Sequence, residues 1–586
     1  MPTLTRLLIS TLTASAVTVA AGAAEIAMVQ IEDSPIEQPS PYGWLFGDPQ
    51  PSLLDIVNTF DEIAGDPSID GVVIRLKDAS LGATQIEELA QAIARVRDSG
   101  KTVHLFAENY GGQELLLGSH VDETIIQSGG GTFYGGLLVE EMFLADTLDW
   151  IGIKADLVQI GDYKGANEQY TRTSPSPAWQ ESLDVLLDGI WANTLSYFMN
   201  GYDISEGEID GALSKIWFAS AEDAQKAGFI DSIVDLAALE SHLAEHYGSE
   251  IEWNMDYEPK AESTIDLSNP FAIFSLLSKE PDHTATGPTI AVLHIEGVIV
   301  DGDSSAGGMF GGQSTGSRTI RNAIEDIIDQ DQIKGVVVRV NSPGGSAIAS
   351  EVIWQGLQRL AETKPVWVSV GNMAASGGYY VAVGGDKIYV NPTSIVGSIG
   401  VVGGKISLGG LYDRLKIKIV TRTRGPMAGM FASDTPWTEP QIEMIRGKMI
   451  ETYDLFTSRV TAGRDDIDLS KTAEGRLFTG NLAIDLDMAD QIGGLDDALE
   501  DMAAQLDMPR YDVMHFPGPK SFEKFMEEAF GGFVETPNTG VVSLVAAARE
   551  LVGPERWPAV QNGLDQLMLL RDEPVILTMP RTFIFR

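Results

Sequence analysis

The chain has 586 residues, of which 40 are basic and 84 acidic, so its formal net charge is −44. Such an acidic balance opposes binding to nucleic acid or to an anionic membrane surface and favours solubility. The lack of cysteine excludes disulfides, thiolate zinc sites and a cysteine nucleophile, while the length and the 44% hydrophobic content allow two or more globular domains.

The N-terminus has the composition of a targeting segment. Arg6 precedes an uncharged run of eighteen residues, Leu7 to Ala24, which ends in AGAA before Glu25. A basic start, an apolar middle and an A-x-A end are typical of a cleaved export signal. The alternative is an uncleaved anchor, since the run is just long enough to cross a bilayer, although Thr, Ser, Ala and Gly dilute it. In both cases we expect the body of the protein outside the cytoplasm.

The body of the chain contains an internal repeat. The segment at Ile26 (IAMVQIE) matches the segment at Ile290 (IAVLHIE), and Gly71 (GVVIRL) matches Gly335 (GVVVRV), both at an offset of 264 residues. Apolar residues at helical spacing follow these strand-like runs in both halves. Alternating strands and helices predict an α/β fold of two tandem domains with largely parallel sheets.

The repeat divides the chain into five parts. We expect a signal peptide or N-terminal anchor in 1–24, a first repeat in 25–258, a linker rich in Pro, Ser, Thr and charge in 259–288, a second repeat in 289–500, and a partly helical tail in 501–586. The linker composition and the loss of the repeat pattern after about residue 500 set these boundaries.

One stretch of the second repeat has the features of a reaction site. The strand-like run Val366–Val370 is broken at Gly371, and residues 374–378 (AASGG) carry no bulky side chain before a helical pattern resumes. Ser376 therefore lies at a strand-to-helix turn where backbone N–H groups can face a ligand. This setting suits a nucleophile with oxyanion donors beside it. The alternative is a tight turn with a capping serine.

The first repeat lacks this equipment. The position equivalent to Ser376 in the first half is Gln113. In the second half, residues 342–346 (SPGGS) follow a strand and open a helix, so that glycine N–H groups there can also face an oxyanion. The first half has residues 76–82 (LKDASLG) at that place, without the glycine pair. Only the second half is equipped for acyl chemistry.

A serine nucleophile needs a base. Of the seven histidines, His294 falls within a strand-like run, and the others lie outside the second repeat. A lysine can replace histidine when burial lowers its pKa enough to leave it neutral. The candidate is Lys164 in residues 159–166 (QIGDYKGA), whose counterpart in the second half has no lysine. A nearby carboxylate would raise its pKa, so we expect Asp162 to point away. Taken alone, a lysine in such a segment is far more often a surface residue.

Three other patterns have weaker support. Residues 312–316 (GQSTG) fit the G-x-S-x-G hydrolase pattern but lie in a Gly/Ser-rich loop with no strand before it. Residues 242–246 (HLAEH) fit a zinc pattern, but without a further ligand cluster we expect a solvated helix end and no metal site. Apolar residues at helical spacing from Phe522 to Phe533 predict a helix that packs on the body or on a neighbouring subunit, or alternatively contacts membrane or substrate.

Several segments resemble the signal peptide peptidase A family of the long, duplicated type (protease IV), which are Clp-like serine peptidases with a Ser-Lys dyad. These segments are residues 341–353 (NSPGGSAIASEVI), 371–382 (GNMAASGGYYVA), 392–404 (PTSIVGSIGVVGG) and 161–168 (GDYKGANE), with further similarity at 52–63 and 70–78. The resemblance runs from about Ile26 to about Leu499, and the paired serine and lysine segments make it specific.

The resemblance implies roles for five residues. Ser376 would attack the scissile carbonyl, and Lys164, from the other half, would be the general base. The N–H groups of Gly345 and Gly377 would form the oxyanion hole. Ser398 would hydrogen-bond to the lysine and orient it.

The same resemblance implies the architecture and the partners. It predicts a crotonase/ClpP-like α/β spiral in each half, no cofactor, and a bowl-shaped homotetramer associated with the periplasmic face of the bacterial inner membrane. The substrates would be apolar peptides, above all cleaved signal peptides. The chain departs from the family at its N-terminus, where a strand begins at Ile26, two residues after the apolar run. This short spacing favours cleavage of the run and leaves the membrane tether in question.

Two functions from other classes remain open. The same fold hosts acyl-CoA hydratases and isomerases, which use the oxyanion hole without a serine nucleophile. Alternatively, the chain is a catalytically inactive or non-proteolytic crotonase-fold scaffold, since one half has already lost its nucleophile. The export segment, Ser376 and Lys164 argue against the first alternative. The retained serine and lysine, one in each half, argue against the second.

Overall fold

The first half of the chain builds a parallel sheet. The computed structural model describes residues 22–43, 50–77, 79–257, 282–305, 313–521, 575–579 and 584–585. The strands up to residue 257 are β1 (Ala24–Glu32), β2 (Gly71–Lys77), β3 (Thr102–Ala107), β4 (Glu123–Gln127), β5 (Gly131–Thr132), β6 (Val139–Glu140), β7 (Lys154–Ile160), β8 (Ala219–Ser220), β9 (Ser232–Val234) and β10 (Ile251–Asn254). Six of them form a sheet in the order β10-β1-β2-β3-β4-β9, in which every pair is parallel.

Helices alternate with these strands. They are α1 (Leu53–Gly65), α2 (Ala83–Asp98), α3 (Gly112–Gly118), α4 (Ala145–Ile151), α5 (Glu168–Thr171), α6 (Pro177–Gly201), α7 (Ile209–Ile216), α8 (Ala221–Lys226) and α9 (Leu239–Tyr247). Helix α1 shows why the sequence folds in this way. Its residues Ile56, Val57 and Phe60 are buried, as the helical spacing predicts, and Ser52 begins the helix through a reciprocal capping box with Asp55.

The second half repeats the arrangement. Its strands are β11 (Thr289–Glu296), β12 (Val298–Val300), β13 (Ser314–Gly316), β14 (Ile333–Ser342), β15 (Gly344–Ser346), β16 (Val366–Ala375), β17 (Lys387–Val390), β18 (Ile395–Gly397), β19 (Val401–Ser407), β20 (Leu477–Phe478), β21 (Gln491–Ile492) and β22 (Asp512–Phe516). The larger sheet has the order β20-β18-β16-β14-β11-β22, with β17 beside β16 and β21 beside β17. Its β18–β20 pair is antiparallel and its other pairs are parallel. The predicted class, two tandem α/β units with largely parallel sheets, is confirmed.

The helices of the second half also follow the predicted spacing. They are α10 (Ser317–Asp329), α11 (Ala347–Ala361), α12 (Gly377–Ala382), α13 (Gly409–Arg414), α14 (Glu439–Gly463), α15 (Leu469–Thr472), α16 (Gly480–Asp485) and α17 (Leu495–Gln505). In α10, Ile320, Ile324 and Ile327 are fully buried in the core of the second half. Burying each such side chain contributes about 1.5–3 kcal/mol.

A third sheet joins the two halves. Two further strands, β23 (Val575–Thr578) and β24 (Ile584–Phe585), come from the C-terminus, and the third sheet has the order β13-β12-β15-β23-β19-β7. Strand β7 of the first half is therefore paired with β19 of the second. The pairing is antiparallel and runs from Lys154 opposite Ser407 to Ile160 opposite Val401. Strand β7, which leads towards Lys164, thus pairs with a strand from the other side of the predicted boundary between the repeats.

A buried arginine also ties the halves together. Arg339 on β14 donates from Nε to Glu37 at 2.9 Å and from Nη2 to Glu88 at 2.7 Å, and both carboxylates belong to the first half. Its Nη1 donates to Ser369 Oγ at 2.9 Å. Removing one partner of a buried ion pair typically costs about 3–5 kcal/mol, because the other charge is left uncompensated. These contacts therefore couple the stability of the two halves.

The tail differs from the expectation. Helix α17 runs past residue 500, and β22 then pairs with β11 as β10 pairs with β1. The sheet of the second repeat therefore extends beyond the boundary expected at residue 500. The sequence of β22 (DVMHF) obscured this strand, because an aspartate and a histidine interrupt its apolar pattern.

Two predicted segments lie outside the described residues. They are the apolar stripe from Phe522 to Phe533 and most of the N-terminal run, of which the structure describes residues 22–24. In the ranges given above, no helix is both long and apolar enough to cross a membrane.

Candidate active site

Ser376 lies at the turn between β16 and α12. Its backbone has φ 56° and ψ −114°, a conformation that costs a non-glycine residue about 1–3 kcal/mol. Two hydrogen bonds hold it: the Ser376 N–H donates to the Gly397 carbonyl at 2.7 Å, and the Ser376 carbonyl accepts from the Tyr380 N–H at 2.9 Å. The residue has no exposed surface. Strain of this kind persists only where the surroundings impose it, and it concentrates at functional sites.

Two glycine segments meet beside Ser376. A Cβ added to Gly377 would lie 3.1 Å from the Gly345 nitrogen and 2.6 Å from Ser350 Oγ. A Cβ added to Gly344 would lie 2.5 Å from the Gly377 nitrogen. The two backbones approach this closely because neither carries a side chain there. The two predicted oxyanion donors, the N–H groups of Gly345 and Gly377, thus belong to adjacent segments.

Lys164 reaches the same place from the first half. After β7 the chain turns at Gly161, with φ 105°, and the Lys164 N–H donates to the Gly161 carbonyl at 3.2 Å. A Cβ on Gly400 would lie 3.1 Å from Lys164 Cδ, and one on Gly475 would lie 2.6 Å from Lys164 Cα. These two glycines leave the space that the lysine occupies. The sequence analysis missed them, although Gly400 lies in the glycine-rich run that follows Ser398.

The amine of Lys164 contacts both serines. Its Nζ lies 2.7 Å from Ser376 Oγ, 2.9 Å from Ser398 Oγ and 2.8 Å from the Ser398 carbonyl oxygen. Lys164 has no exposed surface, and Ser398 is 1% exposed. Burial lowers the pKa of Lys164 well below its usual value, because an apolar environment disfavours the charged form.

This geometry suits a neutral amine. A neutral lysine has two N–H donors and one lone pair, and three oxygen atoms surround the nitrogen. The Ser398 carbonyl accepts one N–H, and Ser398 Oγ accepts the second. The lone pair is then left for the proton of the Ser376 hydroxyl. The arrangement can therefore remove that proton without a histidine.

The other titratable candidates lie elsewhere. The side chain of Asp162 is exposed, whereas Lys164 is buried. His294 is buried in β11, where its Nε2 lies 2.9 Å from His515 Nδ1, and burial lowers its pKa well below the usual value. Across the described part of the chain, Lys164 is the side chain that hydrogen-bonds to the Ser376 hydroxyl.

The alternative motifs belong to other elements of the fold. Ser314 begins β13 and does not lie in a loop, because it exchanges backbone hydrogen bonds of 2.9 and 3.0 Å with Ser305 while β13 pairs with β12. His242 and His246 lie on α9, where His242 Nε2 is 2.8 Å from Glu123 Oε1. In the residues that the structure describes, no group of three or more His, Asp or Glu side chains could hold a metal ion.

Comparison with known proteins identifies the family. The profile of peptidase family S49 matches residues 95–250 and 358–508, one segment in each half. The Protease 4 of Salmonella typhi is 30% identical over 479 residues, which are 79% of this chain and 74% of that protein. The class of protein is a serine peptidase. The chain belongs to peptidase family S49, and its resemblance to signal peptide peptidase A is confirmed.

Two further relatives support this. The chloroplastic serine protease SPPA of Arabidopsis thaliana is 29% identical over 454 residues, which are 76% of this chain; the chain spans 65% of that protein's length. A putative signal peptide peptidase SppA of Enterococcus faecium is 29% identical over 236 residues, which are 40% of this chain and 68% of that protein.

Proposed function

We propose that this chain is a serine endopeptidase in which Ser376 and Lys164 form a catalytic dyad. Its substrates are cleaved signal peptides and other apolar peptides at the periplasmic face of the membrane. The observation that carries the proposal is the 2.7 Å distance between Lys164 Nζ and Ser376 Oγ in a fully buried site. A nucleophile within hydrogen-bond reach of a base, with a third group orienting the base, is the signature of covalent catalysis.

The proposed reaction is acyl transfer through Ser376. Its Oγ adds to the scissile carbonyl carbon while its proton passes to the lone pair of Lys164. Ser398 accepts the N–H groups of Lys164 and so aims that lone pair. The N–H groups of Gly345 and Gly377 stabilise the oxyanion. Lys164 then gives the proton to the leaving amine, and water releases the acyl group by the same route.

The substrate class is inferred from a relative, and the location is inferred from the N-terminus. A relative named as a putative signal peptide peptidase suggests the substrates, and the export-type N-terminus suggests the compartment. The net charge of −44 opposes attraction to anionic lipid headgroups, so membrane association would have to be hydrophobic.

We also propose a homotetramer, following the family resemblance. The segment after β19 exposes several large apolar side chains, which a second copy would cover. They are Leu415, Ile417, Ile419, Val420 and Phe431. An apolar patch of this kind on a chain with such a high net charge is typical of an interaction surface.

A serine-directed activity probe tests the peptidase against an inactive scaffold. A fluorophosphonate should label the wild-type chain, and peptide mapping should find the adduct on Ser376. Absence of labelling in a folded protein that also fails to cleave apolar peptides would replace the proposal with the scaffold alternative.

The oxyanion assignment predicts the effect of Gly345→Ala. A Cβ at this position would lie 2.0 Å from the Ile299 carbonyl oxygen, so β15 must move away from β12 and carry the Gly345 N–H out of place. Loss of one oxyanion donor typically lowers kcat about 10²–10³-fold. We expect a fall of that size with a fluorogenic apolar peptide, with circular dichroism confirming the fold.

The control for this variant is Gly287→Ala. A Cβ on Gly287 would find its nearest neighbour at 3.5 Å, an ordinary contact, so kcat should not change. A folded Gly345→Ala enzyme with wild-type kcat would show that this N–H plays no part in the reaction.

The export segment predicts the N-terminus of the mature protein. Protein recovered from cells should begin at Ala24 or Glu25, because the A-x-A pattern ends there and β1 begins at Ala24. N-terminal sequencing of the purified chain checks this. An intact Leu7–Ala24 segment in the membrane fraction would instead establish the anchor.

A further inference from the structure

A short segment of the second half, residues 473–476, connects α15 to β20 and contacts two loops of the candidate site. We call it the 473–476 turn. Its residues Glu474 and Gly475 have φ angles of 62° and 93°, so the chain reverses through left-handed backbone conformations. Such a conformation is uncommon for a residue other than glycine, and it persists where surrounding contacts impose it. The contacts of this turn therefore bear on what it does.

The backbone of the turn bonds to both loops that surround the amine of Lys164. On the side of the first half, the Tyr163 N–H donates to the Glu474 carbonyl at 2.9 Å. On the other side, the Ser398 N–H donates to the Arg476 carbonyl at 2.7 Å. One loop carries the base and the other carries the serine that orients it. The 473–476 turn therefore links the two loops across the boundary between the halves.

The turn also packs directly against the main chain of the base. A Cβ added to Gly161 would lie 2.6 Å from the Glu474 carbonyl carbon, and one added to Gly475 would lie 2.6 Å from both the nitrogen and the Cα of Lys164. Backbones can approach this closely only where no side chain intervenes. A displacement of the turn therefore has to move the main chain of Lys164.

A side-chain contact holds the turn against the loop of the base. The guanidinium carbon of Arg476 lies 3.8 Å from the centroid of the Tyr163 ring. Arg476 Nη1 donates to the Ala473 carbonyl at 3.0 Å and lies 3.7 Å from Glu474 Oε2, so the guanidinium is held within its own turn. A planar guanidinium stacks on an aromatic face, and the attraction grows as the pair is desolvated. The Arg476 side chain is 21% exposed.

We propose that Arg476 and Tyr163 are positioning residues, whose stack keeps Lys164 in line with the reacting serine hydroxyl. Tyr163 is the residue before the base, so a ring fixed on the turn also fixes the start of the lysine side chain. This inference rests on the proposed peptidase function and extends it to two residues that act through the base.

The variant Tyr163→Leu removes the ring without changing any charge near the base. Misplacement of a reacting group by about 1 Å can cost about 10²-fold, so we expect kcat for a fluorogenic apolar peptide to fall about 10–100-fold. KM should change little, because the defect lies in the base. Tyr163→Phe keeps the face of the ring and should restore the wild-type rate.

The pH profile separates positioning from a merely structural role. Burial lowers the pKa of Lys164, so an amine that loses its place and gains water should be protonated more easily. The pH midpoint of activity should therefore rise by about one unit in Tyr163→Leu, a fraction of the roughly 3–5 units that full burial can produce.

Arg476→Lys tests the other partner of the stack. It keeps the positive charge but loses the planar guanidinium, so it should lower kcat and raise the pH midpoint as Tyr163→Leu does. The double variant should lose little more than Tyr163→Leu alone, because both changes break one contact.

The matched control is a second contact between a cation and an aromatic ring. Lys387 Nζ lies 4.5 Å from the centroid of the Tyr389 ring on β17. Lys387→Leu should leave kcat and the pH midpoint unchanged, whatever it does to the melting temperature. Circular dichroism confirms the fold of each variant, and Arg476→Lys carries the same test if Tyr163→Leu does not fold.

The two proposals can fail separately. Folded variants with the wild-type kcat and pH midpoint would overturn the positioning role and leave the peptidase standing. A fall in kcat with an unchanged midpoint, or the same rise of the midpoint in Lys387→Leu, would also overturn the positioning role. A wild-type chain without hydrolysis that depends on Ser376 would overturn the peptidase and this role with it.

Discussion

Replacing Ser376 with alanine is expected to lower kcat for apolar peptides about 10⁶-fold, the scale observed when a serine hydrolase loses its nucleophile. The backbone contacts that hold the turn, from the Ser376 N–H to Gly397 and from the Tyr380 N–H to the residue 376 carbonyl, do not involve the hydroxyl. Alanine and serine both carry a Cβ, so the φ of 56° strains the backbone of alanine no more than that of serine. The melting temperature should therefore stay close to that of the wild type while turnover is lost.

Ser314→Ala is the matched control, because Ser314 belongs to the other segment that fits a hydrolase pattern. It begins β13, where its backbone pairs with Ser305, and β13 lies at the edge of the third sheet opposite to β7, the strand that leads towards Lys164. This variant should keep kcat within a few-fold of the wild type. If Ser376→Ala retained activity within a few-fold, or if Ser314→Ala lost it, the assignment of the nucleophile would be wrong.

Removing the amine of Lys164 is expected to cost about 10⁴-fold or more in kcat, since a serine without its base keeps only the residual contribution of oxyanion binding. Lys164→Met keeps an unbranched side chain in the space between Gly400 and Gly475 but has no side-chain nitrogen that could accept a proton. Lys164→Arg should be equally inactive, because a guanidinium remains charged at any accessible pH. Both variants are measured by peptide hydrolysis and by the rate of fluorophosphonate labelling.

The wild type should show activity that rises with pH and then levels off. Below the pKa of Lys164 the group is an ammonium and cannot accept the Ser376 proton, and above that pKa it can. Burial lowers this pKa, so the rise should come well below the value of about 10.4 for an unperturbed lysine. Lys154 lies on β7, the strand that precedes Lys164, and its side chain is 64% exposed, so Lys154→Met should leave the rate and its pH profile unchanged. Labelling of Lys164→Met at the wild-type rate would place the base elsewhere.

Much of the fold could be predicted because its information is local and repeated. Strand-like runs at Ile26 and Ile290, with apolar helices between strands, appear twice at one offset, and each becomes part of a parallel sheet. The turn at Ser376 could also be predicted, because strand composition, glycines and a helical pattern adjoin within one short stretch. Local propensity and periodicity are sufficient for features of this range.

The features that the sequence hides depend on distant pairing. Nothing in residues 159–166 (QIGDYKGA) shows that β7 joins β19. The residues alone made Lys164 a candidate base for Ser376, although a lone lysine in such a segment is far more often a surface residue, and the family resemblance strengthened the link. Distant pairing also hides the role of Arg339, whose partners Glu37 and Glu88 are hundreds of residues away. A short C-terminal segment such as β23 also carries too little pattern to reveal which strands it will join.

The ladder between β7 and β19 also bears on when the site can exist. Lys164 and Ser376 are 212 positions apart in the sequence. The backbone of Ser398, which contacts Lys164, is held in turn by a hydrogen bond from its N–H to the carbonyl of Arg476. A ribosome makes the lysine long before it makes the serine or the segment around Arg476. A nascent chain that ends before the second repeat, or a fragment that contains only the first, therefore has Lys164 but lacks Ser376. In the proposed mechanism, the order of synthesis therefore keeps an unfinished copy of this chain inert.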